Sequence, residues 1–194
     1  MLSADIDIAL MEKEFDFVKL HDHPEQIQST IKLLNDEWPR NTNARLISLE
    51  QSRDSLPISL ILIGEDNTLY GHVKLKRNLP SRNSVFLESL VVDRENRGKG
   101  LGKLIMNRTE SFVKQMGFNE IVLTSIDQVG FYLKLGYEVI DSFESSNFIR
   151  KKKDNVNNNF ITSNIPQPPP PPPQPNHVPS SNVSQRKTLM HKFI

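Results

Sequence analysis

Hydrophobic and polar positions along this chain recur in two periods, and the changes of period mark its elements. Residues 15–20 read as a first strand. Ile27, Ile31, Leu34 and Trp38 follow at helical spacing behind Pro24, which suits the first residue of a helix, and Pro39 ends it. A second helix is expected over residues 44–53. The run Ile58-Ser59-Leu60-Ile61-Leu62-Ile63 reads as a buried strand, and Gly64-Glu65-Asp66-Asn67 is turn chemistry. Beyond the turn, Leu69, Gly71, Val73 and Leu75 alternate with Tyr70, His72, Lys74 and Lys76, so the two runs form an antiparallel hairpin. Residues 84–92 are another strand. Leu101, Leu104, Ile105, Phe112, Val113 and Met116 share one face of a long helix that Gly117 stops. A short strand over 120–123, a short helix over 128–135 closed by Gly136, and a strand over 137–149 complete the pattern. The fold class is α/β (α+β), a sheet with helices packed on it.

Composition then divides the chain. Residues 1–14 are mixed and read as a loose N-terminus, with residues 15–194 as a single domain. Arg150-Lys151-Lys152-Lys153 gives way to Asn155, Asn157, Asn158 and Asn159, and nine of the thirteen prolines lie between Pro166 and Pro179. Proline lacks the backbone donor that helices and central strands need, so this stretch suits an exposed polyproline II rod. Leu189, Met190, Phe193 and Ile194 are apolar again and suit a last strand returning to the sheet. Residues 151–187 are then an Asn- and Pro-rich loop inserted before that strand. Net charge is +1, so no bulk attraction to nucleic acid or membrane is expected. Cysteine is absent, which excludes a thiol nucleophile, a disulfide framework and a cysteine zinc site; no metal is expected. The first ten residues carry two aspartates and no basic residue, unlike a secretory signal, and the expected location is cytoplasmic.

The strand ending at Val92 leads into Arg97-Gly98-Lys99-Gly100-Leu101-Gly102, which opens the long helix. Glycines let a backbone turn tightly around an anion, and a helix start offers free N–H donors and partial positive charge. Arg94, Arg97, Lys99 and Lys103 add full charges. On physical grounds this suits a pyrophosphate; a basic, glycine-rich helix entry without a ligand is the other reading. The Walker pattern is absent, and the alternating Gly98, Gly100 and Gly102 do not match the Rossmann spacing.

The arrangement Arg97-x-x-Gly100-x-Gly102, after an apolar strand, resembles the acetyl-CoA motif of the GNAT superfamily. Further on, Asp127-Gln128-Val129-Gly130-Phe131-Tyr132 and Gly136-Tyr137 resemble the later motif of that family, in the right order and at normal spacing. The resemblance implies a mixed, mostly antiparallel central sheet with helices on both faces, splayed between the fourth and fifth strands. It implies acetyl-CoA as co-substrate. Leu90, Val91 and Val92 would offer backbone groups to the pantetheine arm, residues 97–103 would hold the pyrophosphate, and Ser125 and Gln128 would complete the cofactor site. Tyr132 matches the family's usual acid. Glu88 shares an alternation with Phe86, Leu90 and Val92, and a carboxylate on an apolar face is a candidate base; a salt-bridged strand carboxylate is the other reading. His72 is an alternative base or a surface histidine.

Trp38-Pro39-Arg40-Asn41 and Arg45 lie between and on the first two helices, where the family places its acceptor site; Trp38 could equally be core. Lys74, Lys76, Arg77 and Arg82 add cations on or after the third strand, and such charges favour an acidic substrate. Asn35-Asp36-Glu37-Trp38-Pro39-Arg40, Gly71-His72 and Glu88-Ser89-Leu90-Val91-Val92 resemble the branch of the family that acetylates actin N-termini in animals. That likeness implies a cytosolic enzyme for Asp- or Glu-rich N-termini which recruits profilin–actin through Pro166-Gln167, the six prolines 168–173 and Gln174-Pro175. The proline run here is short; a plain spacer is its other reading. An acetyltransferase for lysine or a small amine, and an adaptor working through the proline rod, are the competing functions.

Overall fold

The computed structural model describes residues 14–78, 81, 83–140 and 187–194. Its sheet is built around a strand that is buried on both faces. Every residue of β2 (Ile58–Gly64) is buried, as its unbroken apolar run requires. β1 (Phe15–Lys19) lies antiparallel on one side of it and β3 (Leu69–Arg77) on the other. β4 (Ser84–Val92), β5 (Glu120–Ser125), β6 (Glu138–Val139) and β7 (Thr188–Phe193) extend the sheet in the order β1-β2-β3-β4-β5-β7-β6. Only β4 and β5 run parallel, because α3 (Leu101–Gln115) carries the chain across between them.

Alternation along the strands sends side chains to two cores. Leu60, Leu62, Val73, Leu75, Val85 and Leu87 pack with Leu104, Ile105 and Val113 of α3. Ile61, Ile63 and Val91 face α1 (Ile27–Glu37) and α2 (Thr42–Glu50), packing with Ile31, Leu34 and Leu49. Pro24 sits in a short 3-10 turn, Pro24–Gln26, and α1 proper begins at Ile27. Asn41 accepts the Ala44 N–H at 3.1 Å and starts α2 two residues earlier than its apolar pattern suggests. The apolar C-terminal residues form β7, which pairs with both β5 and β6. Of the strand expected over 137–149, Glu138–Val139 is seen; residues 141–149, the basic run and the Asn- and Pro-rich stretch lie outside the described residues. No helix among the described residues is long and apolar enough to cross a membrane.

One irregularity positions everything that follows. Lys74 pairs with Glu88, yet His72 pairs with Val91, so two residues of β4 stand against one of β3. Ser89 takes φ +57°, and this bulge exchanges the faces of β4. Before it, Val85 and Leu87 face α3; after it, Leu90 and Val92 do. Glu88 therefore does not share a face with Leu90 and Val92, as simple alternation suggests. Pairing of β4 with β5 runs from Ser84 opposite Glu120 to Leu87 opposite Leu123 and stops at the bulge. Beyond it the two strands part.

Candidate active site

The gap between β4 and β5 opens into a cleft of about 460 Å³. Leu90, Val91 and Val92 form one wall, and Gln128, Phe131 and Tyr132 from α4 (Val129–Lys134) the other. The outer edge of β4 has no strand beside it there, so its backbone groups face the gap. The floor is the glycine loop. Gly98 and Gly100 hold φ of +76° and +90°, which glycine adopts without a steric penalty. A Cβ on Gly98 would meet nothing within 4 Å, and one on Gly102 would sit 3.4 Å from the Phe131 ring. The loop is thus open at Gly98 and closely packed against the Phe131 wall at Gly102. The first amides of α3 lack intrahelical acceptors and end on this floor. Lys103 and Arg97 line it as well. Arg97 donates to Val92 O at 3.0 Å and to Glu37 Oε2 at 2.8 Å, so the end of α1 is tied to the loop. This floor suits a doubly charged phosphate chain, and the long apolar-walled gap suits a thin extended arm.

Tyr132 stands at the inner end of the cleft, packed edge-on against Phe131 and Tyr137 at centroid distances of 5.1 and 5.7 Å. Burial, helped by Asp127, pushes its phenol up to about 12. It therefore stays protonated at neutral pH and can donate a hydrogen bond or a proton.

A second cavity, of about 310 Å³, lies on the α1–α2 side of the sheet; Ser89 lines it, and the next residue of β4, Leu90, lines the first. Arg40, Arg45, Lys74 and Lys76 line it, against the single carboxylate of Glu88. Lys74 is 4% exposed and donates to Ser48 O and Oγ, both at 2.7 Å. Burial, and then Lys76, Arg40 and Arg45, hold its ammonium below the ordinary value, with Glu88 opposing. Arg45 is 8% exposed and reaches Asn35 Oδ1 at 3.2 Å and Trp38 O at 2.5 Å, bracing the turn between α1 and α2. Lys76 and Glu88 are ion-paired at 2.6 Å. His72, in the same cavity, is 1% exposed.

Residues 24–137, more than half of the chain, match the model of the acetyltransferase (GNAT) family. The chain belongs to that family. Among curated proteins it is similar to N-alpha-acetyltransferase 80 of Mus musculus, 36% identical over 135 residues, which are 66% of this chain and 43% of the mouse protein. The chain thus spans less than half of that relative's length. Among solved structures it is similar to the PaiA N-acetyltransferase of Thermoplasma acidophilum in complex with coenzyme A, at 19% identity and a TM-score of 0.60, covering 93% of this chain and 99% of that one. It is likewise similar to the spermidine N-acetyltransferase of Vibrio cholerae with coenzyme A and spermine, at 15% identity and a TM-score of 0.62, covering 93% and 96%. At those identities the structural likeness speaks for the GNAT fold: a mixed sheet, one parallel pair, and helices on both faces. The co-substrate of the family is acetyl-CoA. The cleft fits it, since a glycine cradle with free amides accommodates a pyrophosphate and the β4–β5 gap leaves backbone groups for the pantetheine amides.

The structure brings most of the expected cofactor residues together. Leu90, Val91, Val92, Arg97, Gly98, Gly100, Leu101, Gly102, Lys103 and Gln128 line the GNAT cleft. Lys99 turns to Asn96 Oδ1 at 2.8 Å instead, and Ser125 lies buried behind, its Oγ accepting the Gln128 N–H at 3.1 Å. Of the expected acceptor-site residues, Arg40, Arg45 and Lys76 line the second cavity; Trp38 is 43% exposed and lines the edge of the cofactor cleft rather than the core. Asn41 is engaged as the α2 cap, Arg77 is exposed at the end of β3, and Arg82 lies outside the described residues. Sequence reasoning counted Lys74 among the third-strand cations that favour an acidic substrate, and gave Ser48 and Glu37 no role. The polar side of β3 was legible, but not that α2 covers it.

Proposed function

We propose that this chain moves an acetyl group from acetyl-CoA to the α-amine of acidic N-termini, that of actin foremost, by direct attack in a ternary complex. The observation that carries the reading is the second cavity: among the described residues, four cations against one carboxylate, with Ser89 of the β4 bulge lining it and the next residue, Leu90, lining the cofactor cleft. Cations in such a cavity hold Asp or Glu side chains by charge-assisted hydrogen bonds. Similarity to an N-alpha-acetyltransferase agrees with an α-amine acceptor. Bound acetyl-CoA supplies an activated acyl carbon and a thiol leaving group. Tyr132 protonates the departing sulfur, and Glu88, ion-paired with Lys76, faces the cavity that receives the amine. Polyproline residues 166–175 recruit profilin–actin, in the cytosol, by filling an aromatic groove.

Turnover across synthetic N-termini tests this. Peptides beginning with three acidic residues should exceed neutral peptides in kcat/KM by at least about tenfold, and a lysine-bearing peptide with a blocked N-terminus should stay unmodified. Equal rates on the acidic and the blocked peptides would refute it in favour of lysine acetylation. A polyamine acceptor is disfavoured because four cations repel it. Deleting residues 166–175 should leave peptide turnover intact and slow only profilin–actin; an unchanged rate on the latter returns the segment to a spacer.

A further inference from the structure

Among the described residues, four buried side-chain polar atoms have no hydrogen-bond partner: Ser59 Oγ, His72 Nε2, Glu110 Oε1 and the Tyr137 hydroxyl. Only His72 lines either cavity. Its tautomer follows from its other nitrogen. Nδ1 lies 3.2 Å from Ser89 O, and a carbonyl only accepts, so Nδ1 carries the hydrogen. Nε2 is left with a bare lone pair. Charged groups share its cavity from each neighbouring element, Lys74 and Lys76 from β3, Arg45 from α2, Arg40 from the α1–α2 turn and Glu88 from β4, and Lys74 and Arg45 act on it most directly. Burial first, then Lys74 and Arg45, push the imidazole down to about 4, so it is neutral at neutral pH. The lone pair needs a donor. Carboxylates of an acidic peptide offer none, and Lys74, Arg45 and Lys76 already donate to Ser48, to Asn35 and the Trp38 carbonyl, and to Glu88. The neutral α-amine offers N–H bonds and, unlike the ammonium, is not repelled by the four cations.

We propose that His72 Nε2 is the acceptor for the reacting α-amine: it holds one N–H, which directs the nitrogen lone pair at the acyl carbon, and takes that proton during transfer. The proposal rests on the N-terminal acceptor reading above. The ammonium proton goes to solvent first, aided by the cationic surroundings. The nitrogen then forms the C–N bond as C–S breaks. As the nitrogen becomes amide-like its proton grows far more acidic than an imidazolium, so even a weakly basic imidazole accepts it. The sulfur takes the Tyr132 proton, and imidazolium and phenolate re-equilibrate with water. Ser89 is thereby given a purpose: the bulge aims its carbonyl at Nδ1 and fixes the tautomer.

Two variants separate the atoms. In His72→Asn the side-chain amide can replace Nδ1–H toward Ser89 while Nε2 is lost; in His72→Gln an acceptor remains near the Nε2 position. The assay is calorimetric binding of an acidic peptide to the full chain without acetyl-CoA, beside its des-amino analogue, in which succinyl replaces the first aspartyl residue. Wild type should bind the amine peptide about tenfold more tightly, as one hydrogen bond allows. His72→Asn should abolish that preference, leave the analogue's affinity unchanged and lower kcat about a hundredfold, with His72→Gln between. In wild type, the ¹⁵N resonance of His72 Nε2 should shift on adding the amine peptide and not the analogue. An unmoved resonance, or an amine preference and kcat surviving in His72→Asn, overturns the proposal. Wild type binding acidic and neutral peptides alike would instead overturn the acidic-substrate reading, and the His72 comparison would still run on the neutral pair.

Discussion

Replacing His72 with asparagine should change how stability depends on pH, independently of any ligand. Desolvation holds His72 down at about 4 in the fold, against an ordinary value of 6.5. The unfolded chain therefore binds one proton more than the folded chain between those values. Because the folded value is the lower one, the stability this residue contributes is full above 6.5 and is lost as pH falls toward 4. The whole difference corresponds to about 3 kcal/mol, and about 2.5 kcal/mol of it is gone by about pH 4.5. Such a loss is a large fraction of a domain's total stability. The side chain is 1% exposed, so solvent screening discounts little of it. Every other histidine and carboxylate is common to both proteins and cancels in the comparison. Urea unfolding of wild type and His72→Asn at about pH 7.5 and about pH 4.5 gives the four free energies needed. The variant should be the less stable at the higher pH and should recover about 2.5 kcal/mol relative to wild type at the lower. If the gap between the two proteins is the same at both pH values, His72 is not held neutral by burial, and the tautomer argument fails with it.

Tyr132→Phe should lower kcat by about two to three orders of magnitude with coenzyme A affinity unchanged, read by single-turnover rates and calorimetry; a phenol pushed up to about 12 also predicts no loss of the acid form below about pH 10. Gly71→Ala should cost about 1–3 kcal/mol in urea unfolding, because the added Cβ would sit 2.5 Å from Ile105 Cδ1 and 2.9 Å from the Val91 carbonyl, a backbone atom that cannot step aside. Arg40→Glu should raise KM for Asp-rich peptides at least about tenfold more than for neutral ones, whereas Arg45→Glu should also lower the melting temperature, since Arg45 braces Asn35 and Trp38; equal KM effects on both peptides refute the contacts. Glu37→Gln should release Arg97 and tighten coenzyme A binding a few-fold at low salt, an effect that added salt should erase.

Much of the fold was legible because its elements are locally encoded. The β2 run, the α3 stripe and the stop at Gly117 need nothing beyond periodicity and a helix cap. The cofactor floor was legible for the same reason, since a glycine loop opening a helix is contiguous in sequence: ten of the twelve expected cofactor residues line one cleft. The two exceptions, Lys99 and Ser125, point elsewhere through short-range hydrogen bonds that spacing does not reveal.

The acceptor side was not legible in that way. His72, Lys74, Lys76 and Glu88 come from two strands, Arg40, Arg45 and Ser48 from the segment that folds over them, and only their packing makes a pocket. Alternation also misplaced Glu88, because a single extra residue at Ser89 reverses the faces of β4. A bulge costs one residue of register and carries no strong local signal, yet it ends the β4–β5 pairing, lies between the residues of the two cavities and aims a carbonyl at His72. By itself, then, the sequence determined the elements, the family and the glycine loop, all of which depend on neighbours along the chain. Tertiary structure decided which side chains are buried, which cations are shared and which histidine nitrogen is left bare, because those depend on desolvation and on contacts between segments far apart in the chain.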